Sequence, residues 1–190
     1  MLFRVGAALL LVCVLFIFFI GDCSTCDYRA VVGGSVILQV PSSEDFFDTK
    51  WKYNDGNVLR KKNGHVYSLS QRAALKDNGS LQLTEVKGDN AGGYTVECFD
   101  KDGLLKLKRS FTLCVYETVS KPRVNFTCLN GKPFLRCEVV DSKDLTFSWF
   151  VNGKKLALTG RHFSGGKDNQ IYTCLVRNPV HTNTSDDVSV

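Results

Sequence analysis

The reactive groups of this chain are mostly thiols. Eight cysteines lie in 190 residues. Cys13 sits inside the apolar run "VGAALLLVCVLFIFFIG", which follows Arg4 and leads into "DCSTC". One positive charge, an apolar core and small residues near a cut make a secretory signal, assigned to residues 1–23. A membrane anchor is the alternative for the same run. Gly21 and Cys23 suit the positions before the cut, which falls between residues 21 and 25. Export delivers the chain to an oxidising compartment, so Cys23, Cys26, Cys98, Cys114, Cys128, Cys137 and Cys174 read as disulfide formers. Asn78 in "NGS", Asn125 in "NFT" and Asn183 in "NTS" are glycan acceptor motifs, as befits an exported surface protein.

Other chemistry is poorly supplied. The three histidines, His65, His162 and His181, have no metal-ligand spacing, so no metal site is expected. No glycine-rich phosphate loop and no G-x-S-x-G elbow occur, and "HFSGGKDN" lacks the context of a catalytic serine. The sequence therefore predicts neither an enzyme nor a cofactor. The net charge of +5 is modest. It lacks the dense basic patch and motif of a nucleic-acid binder. "LRKKNG" (59–64) and "LKLKR" (105–109) could form a stripe for an acidic polysaccharide, or simply a solvated sheet face.

The elements that must position these groups are short strands. "SVILQV" (35–40), "TKWKY" (49–53), "HVYSL" (65–69), "SLQLTEV" (80–86), "GYTVECF" (93–99) and "LLKLKRSFTLCVY" (104–116) are apolar, aromatic or alternating. Gly, Asn, Asp and Pro clusters separate them. Trp51 lies between Lys50 and Lys52, so alternation sends the indole inward and the lysines outward. Tyr94, Val96 and Cys98 share one face of their strand. "ETVSKPRV" (117–124) is a short, stiff junction. After it, "FLRCEVV" (134–140), "LTFSWFVNGKKL" (145–156) and "IYTCLVRNPV" (171–180) place Cys137 and Cys174 around Trp149, the Cys…Trp…Cys order of a pinned sandwich. The fold expected is all-β: two tandem immunoglobulin-like sandwiches. The first, 24–119, is variable-type without an inter-sheet disulfide, and the second, 120–190, is constant-type. The second is expected to stop before its last strand, because the chain reaches "SDDVSV" where that strand should begin.

Several stretches carry a family likeness: "NGSLQLTEVKGDNAGGYTV", "FDKDG", "ETVSKP", the "WKY" and "SWF" tryptophan strands and "YTCLVRNPV". From residue 26 to 190 the chain resembles the ectodomain of the lymphocyte adhesion and SLAM receptors of the immunoglobulin superfamily. In that family the outer domain often lacks its inter-sheet disulfide. Val96, and Leu38 where the partner cysteine would sit, fit that departure. The resemblance and the spacing both imply a Cys137–Cys174 bridge. The family's second bridge would join Cys128 to a cysteine on the last strand, and that partner is missing. Cys26, on the first strand, can pair with Cys114 on the last. Cys98 is then a buried thiol, or takes Cys23 if the signal is cut ahead of it; the sequence leaves this open.

The resemblance implies cell–cell recognition through the exposed sheet of the outer domain. Alternation puts Lys50, Lys52, Thr95, Glu97, Phe99, Lys106 and Lys108 on that face, with Arg60 and Lys62 on the adjoining strand. Phe99 occupies the place of an aromatic contact residue in the family. The expected partner is a protein of the same receptor family, acidic and heterophilic. The expected location is the cell surface, with an anchor beyond Val190, or secretion as a soluble decoy.

Overall fold

The computed structural model describes residues 25–41, 46–54, 56–68, 72–140, 142–167 and 169–190. The signal and Cys23 lie outside the described residues. The first part of the chain forms β1 (Tyr28–Val31), β2 (Val36–Leu38), β3 (Asp48–Tyr53), β4 (Gly56–Lys62), β5 (His65–Ser68), β6 (Ala73–Leu75), β7 (Leu81–Leu83), a 3-10 turn (Gly88–Asn90), β8 (Gly92–Phe99) and β9 (Leu105–Tyr116). The second forms β10 (Arg123–Leu129), β11 (Lys132–Glu138), β12 (Thr146–Val151), β13 (Lys154–Thr159), β14 (His162–Ser164), β15 (Ile171–Arg177), β16 (Thr182–Thr184) and β17 (Val188–Ser189).

The outer sandwich stacks a six-stranded sheet, β1-β9-β8-β3-β4-β5, on a three-stranded one, β2-β7-β6. β1 runs parallel to β9, and the rest of the large sheet is antiparallel. Alternation in β3 and β8 sends Trp51, Tyr94, Val96 and Cys98 inward, where they meet Leu38, Leu81, Leu83 and Val86. Leu38 and Val96, where a bonded domain would carry its cysteines, are both fully buried. The Trp51 indole donates to the Gly79 carbonyl at 2.8 Å, so its one polar atom is satisfied inside the core. Tyr94 closes a tyrosine corner: its hydroxyl donates to the Asn90 carbonyl at 2.9 Å. Burial raises the Tyr94 phenol well above its ordinary pKa.

The second sandwich pairs β10-β11-β14 with β13-β12-β15-β16. Its core holds Trp149, Leu135, Phe147, Phe163, Tyr172 and Val176 around the Cys137–Cys174 bridge. Here the structure departs from the sequence expectation that this sandwich stops before its last strand. Thr182–Thr184 pairs with β15 at Leu175–Arg177, and Val188–Ser189 pairs with β15 at Ile171–Tyr172. The two segments form one strand, broken by a register shift around Ser185. Ser185 turns inward; its hydroxyl accepts from the Cys174 amide and donates to the Asp186 carbonyl, both at 2.9 Å. The strand occupies the polar "TNTSDDVSV" at the sheet edge, where backbone pairing replaces apolar burial.

The junction is fastened to the second sandwich. Val119 is buried in that core. Its amide donates to His181 Nδ1 at 3.1 Å, and its carbonyl accepts from Asn183 Nδ2 at 3.1 Å. Asn178, 2% exposed, donates to the Glu117 carbonyl at 2.8 Å.

Candidate recognition face

The outward side of β3, β8, β9 and β4 gathers the residues named from alternation. Register sets Lys50 beside Glu97 and Arg60, Lys52 beside Thr95, and Glu97 beside Lys108. Glu97 is the hub of this half. Lys52 Nζ lies 2.8 Å from one of its oxygens and Lys108 Nζ 3.2 Å from the other. The Lys52 and then the Lys108 hydrogen bond hold its carboxyl below the usual range, against a desolvation cost. Thr95 bonds the Ser110 hydroxyl at 3.0 Å. Lys106 pairs with Asp100 at 3.3 Å.

A second hub escaped sequence reasoning. Asp48 begins β3, two residues before Lys50, so alternation puts it on the same face. It is 6% exposed. Arg60 grips it bidentately, Nε to Oδ1 at 2.8 Å and a terminal nitrogen to Oδ2 at 2.5 Å. Lys50 Nζ stands 3.9 Å away. The Arg60 hydrogen bonds hold its carboxyl down, helped by the charges of Arg60, Lys50 and Lys62. The signal that could have found it was the same period of two that found Lys50. Tyr67, 62% exposed and paired in register with Arg60, adds an aromatic from β5 that sequence reasoning also missed.

Phe99 ends β8 half-buried, and the Lys50 ammonium sits 4.5 Å from its ring centroid. The ring is thus a cation-capped aromatic rather than a bare apolar knob. The hairpin beyond it is fixed, because Asp100 Oδ1 accepts the Asp102 and Leu104 amides at 3.0 and 2.9 Å. Five cations of the face, Lys50, Lys52, Arg60, Lys106 and Lys108, are therefore held in place by carboxylates of the same chain. Ordering these long side chains in advance lowers the entropy lost when a partner docks.

The other site residues fall elsewhere. Cys26 and Cys114 are bonded, fastening the entry of β1 to β9. Cys98 is a buried thiol whose pKa burial pushes up, and Cys128 is an exposed thiol on β10. Asn78 is exposed on the turn before β7, its Oδ1 accepting the Ser80 amide. Asn125 is exposed on β10, whereas Asn183 is half-buried with its amide nitrogen on Val119. Among the described residues no group of three or more His, Cys, Asp or Glu could hold a metal ion, and no helix is long and apolar enough to cross a membrane.

No family model matches the chain. Curated relatives do. The T-cell surface antigen CD2 of Homo sapiens is 32% identical over 136 residues, which is 68% of this chain and 38% of that protein. SLAM family member 7 of Homo sapiens is 25% identical over 182 residues, 83% of this chain and 53% of that protein. The chain spans 38–44% of the length of the CD2 relatives it matches. Among solved structures, the CD2-binding domain of CD58 (lymphocyte function-associated antigen 3) superposes with a TM-score of 0.72 at 23% identity, covering 86% of this chain and 95% of that one. These relatives are adhesion receptors rather than enzymes. The CD58 superposition shows a shared fold, and the likeness to the curated relatives places the chain in the immunoglobulin superfamily, among the lymphocyte adhesion and SLAM receptors.

Proposed function

We propose that the chain is the recognition ectodomain of an immune-cell receptor, displayed at the cell surface or secreted. Residues 1–23 are its signal, 24–119 the outer variable-type domain and 120–190 the constant-type domain. The outer face of the six-stranded sheet binds an acidic protein of the same receptor family. One observation carries this reading: Phe99 sits amid cations that buried Asp48 and half-buried Glu97 hold in fixed positions. An aromatic surrounded by ordered charges has the composition of an interface centre. The likeness to the CD2-binding domain of CD58 supports an immunoglobulin-family partner.

Charge supports a heterophilic pairing. Lys50, Lys52, Arg60, Lys62, Lys106 and Lys108 outnumber Asp48, Glu97 and Asp100, leaving the face net positive. Two such faces in contact would repel, while an acidic face would be steered in. The cis pairing also disfavours a polysaccharide ligand, since most of these cations already have carboxylate partners.

Fluorescent multimers of the secreted chain supply the avidity that a weak single contact needs. They should stain partner-bearing lymphocytes, with or without prior heparinase treatment. Phe99→Ala and Lys52→Glu should each abolish staining, and the isolated chain should sediment as a monomer at micromolar concentration. Unchanged staining by both variants would refute the face. Self-association that Phe99→Ala abolishes would refute the heterophilic reading.

A further inference from the structure

A pit of about 270 Å³ opens where the face meets the β8–β9 hairpin. Phe47, Phe99 and the carboxylates Asp48 and Asp100 line it. Lys50, Arg60, Lys62 and Lys101 stand around it. Its walls are fixed from several sides. The Asn63 amide donates to the Phe47 carbonyl at 2.9 Å, tying the strand entry to the β4–β5 turn. The Gly103 amide donates to the Asp100 carbonyl at 3.1 Å, with Gly103 at φ +80° closing the hairpin. The volume lies just below that of small-molecule sites, ~300–1,000 Å³, and suits one side chain.

We infer that this pit receives a single acidic side chain of the partner, a glutamate whose methylenes pack on Phe47 and Phe99 and whose carboxylate meets Lys62 and Lys101. This rests on the face being the recognition surface. Two features exclude the other occupants. Asp48 is already gripped by Arg60 with Lys50 nearby, so an incoming cation finds no free acceptor there. Asp100 is likewise occupied, by Lys106 and two backbone amides. Lys62 and Lys101, by contrast, make no ion pair among the described residues. A purely apolar side chain would bury those ammonium groups unpaired, which costs more than aromatic contact returns. A carboxylate on a short apolar stem satisfies both the rim and the walls.

N-acetylglutamate, N-acetylglutamine and sodium sulfate serve as separate probes, titrated into the isotope-labelled full chain while amide shifts are followed. N-acetylglutamate should move Phe47, Lys62, Phe99 and Lys101 with a Kd on the order of millimolar, as expected for so small a ligand. Lys62→Gln with Lys101→Gln should weaken it about tenfold or more, given surface charges a few ångströms apart. Phe47→Ala should weaken it severalfold while the rest of the spectrum stays native. Equal shifts from N-acetylglutamine would overturn the acidic occupant. Sulfate binding as tightly, and unaffected by Phe47→Ala, would overturn the side-chain reading in favour of a plain anion trap. Shifts confined to other parts of the face would overturn the pit. None of these failures alters the cell-staining result for Phe99→Ala and Lys52→Glu, so the pit and the face fail separately.

Discussion

Leu38→Ala tests whether apolar packing has replaced the missing inter-sheet bond of the outer sandwich. Leu38 is on β2, Val96 is on β8, and both are fully buried in the cluster around Trp51. Truncating Leu38 removes three carbons, worth ~2.4 kcal/mol at about 0.8 kcal/mol each. The cavity left behind adds to this, for a total of roughly 3–4 kcal/mol. Val96→Ala removes two carbons and should cost about 2 kcal/mol. These figures match the ~2–4 kcal/mol that a disulfide contributes. For a sandwich of this size each kcal/mol shifts melting by about 4–8 °C, so Leu38→Ala should lower the outer transition by roughly 12–30 °C. Calorimetry would give the shift. Hydrogen exchange would locate it, with protection lost in β2, β7 and β8 while β12 and β15 keep theirs. A shift under about 4 °C, or one spread equally over both sandwiches, would refute the argument, because buried contacts at Leu38 would then not be what secures the two sheets.

Three further outcomes are expected. Under native conditions at neutral pH, iodoacetamide should label exposed Cys128 while buried Cys98 stays protonated and protected, as peptide mass spectrometry would read. Asp48 and Glu97 both titrate below their ordinary values, so each adds stability that is present above the unfolded carboxylate pKa near 4 and lost as pH falls through the folded value. Melting of the wild-type chain should therefore fall on acidification below about pH 4. Asp48→Asn should lower it at pH 7, and the gap to wild type should narrow as the pH falls below about 4; a constant gap from about pH 7 to about pH 2 would refute the assignment. N-glycanase should shift the mobility of chain secreted from mammalian cells through glycans at exposed Asn78 and Asn125. Asn183, whose amide nitrogen bonds Val119, should show the lowest occupancy by glycopeptide mapping.

Much of this protein was legible without coordinates, because its strands bury one face and expose the other. A period of two then separates Trp51 from Lys50 and Lys52, and Val96 from Glu97, whatever the fold around them. Cys137, Trp149 and Cys174 were legible differently, from the Cys…Trp…Cys order that a pinned sandwich imposes along the chain. Alternation is a property of a single strand, however, and says nothing about which strand lies beside it. Pairing of β3 with β4 and β8 made Asp48 a clamp for Arg60 and Glu97 a clamp for Lys52 and Lys108, turning a row of lysines into ordered, half-neutralised charge. The last strand of the second sandwich was expected to be missing because the chain reaches "SDDVSV" where that strand should begin. The strand starts earlier, at Thr182, held by backbone bonds to β15 and by the Ser185 hydroxyl, and such bonds leave no apolar pattern to read. Side-chain burial writes itself into sequence because it selects residue type; backbone pairing and the meeting of distant strands select only position, and those were decided by the tertiary fold.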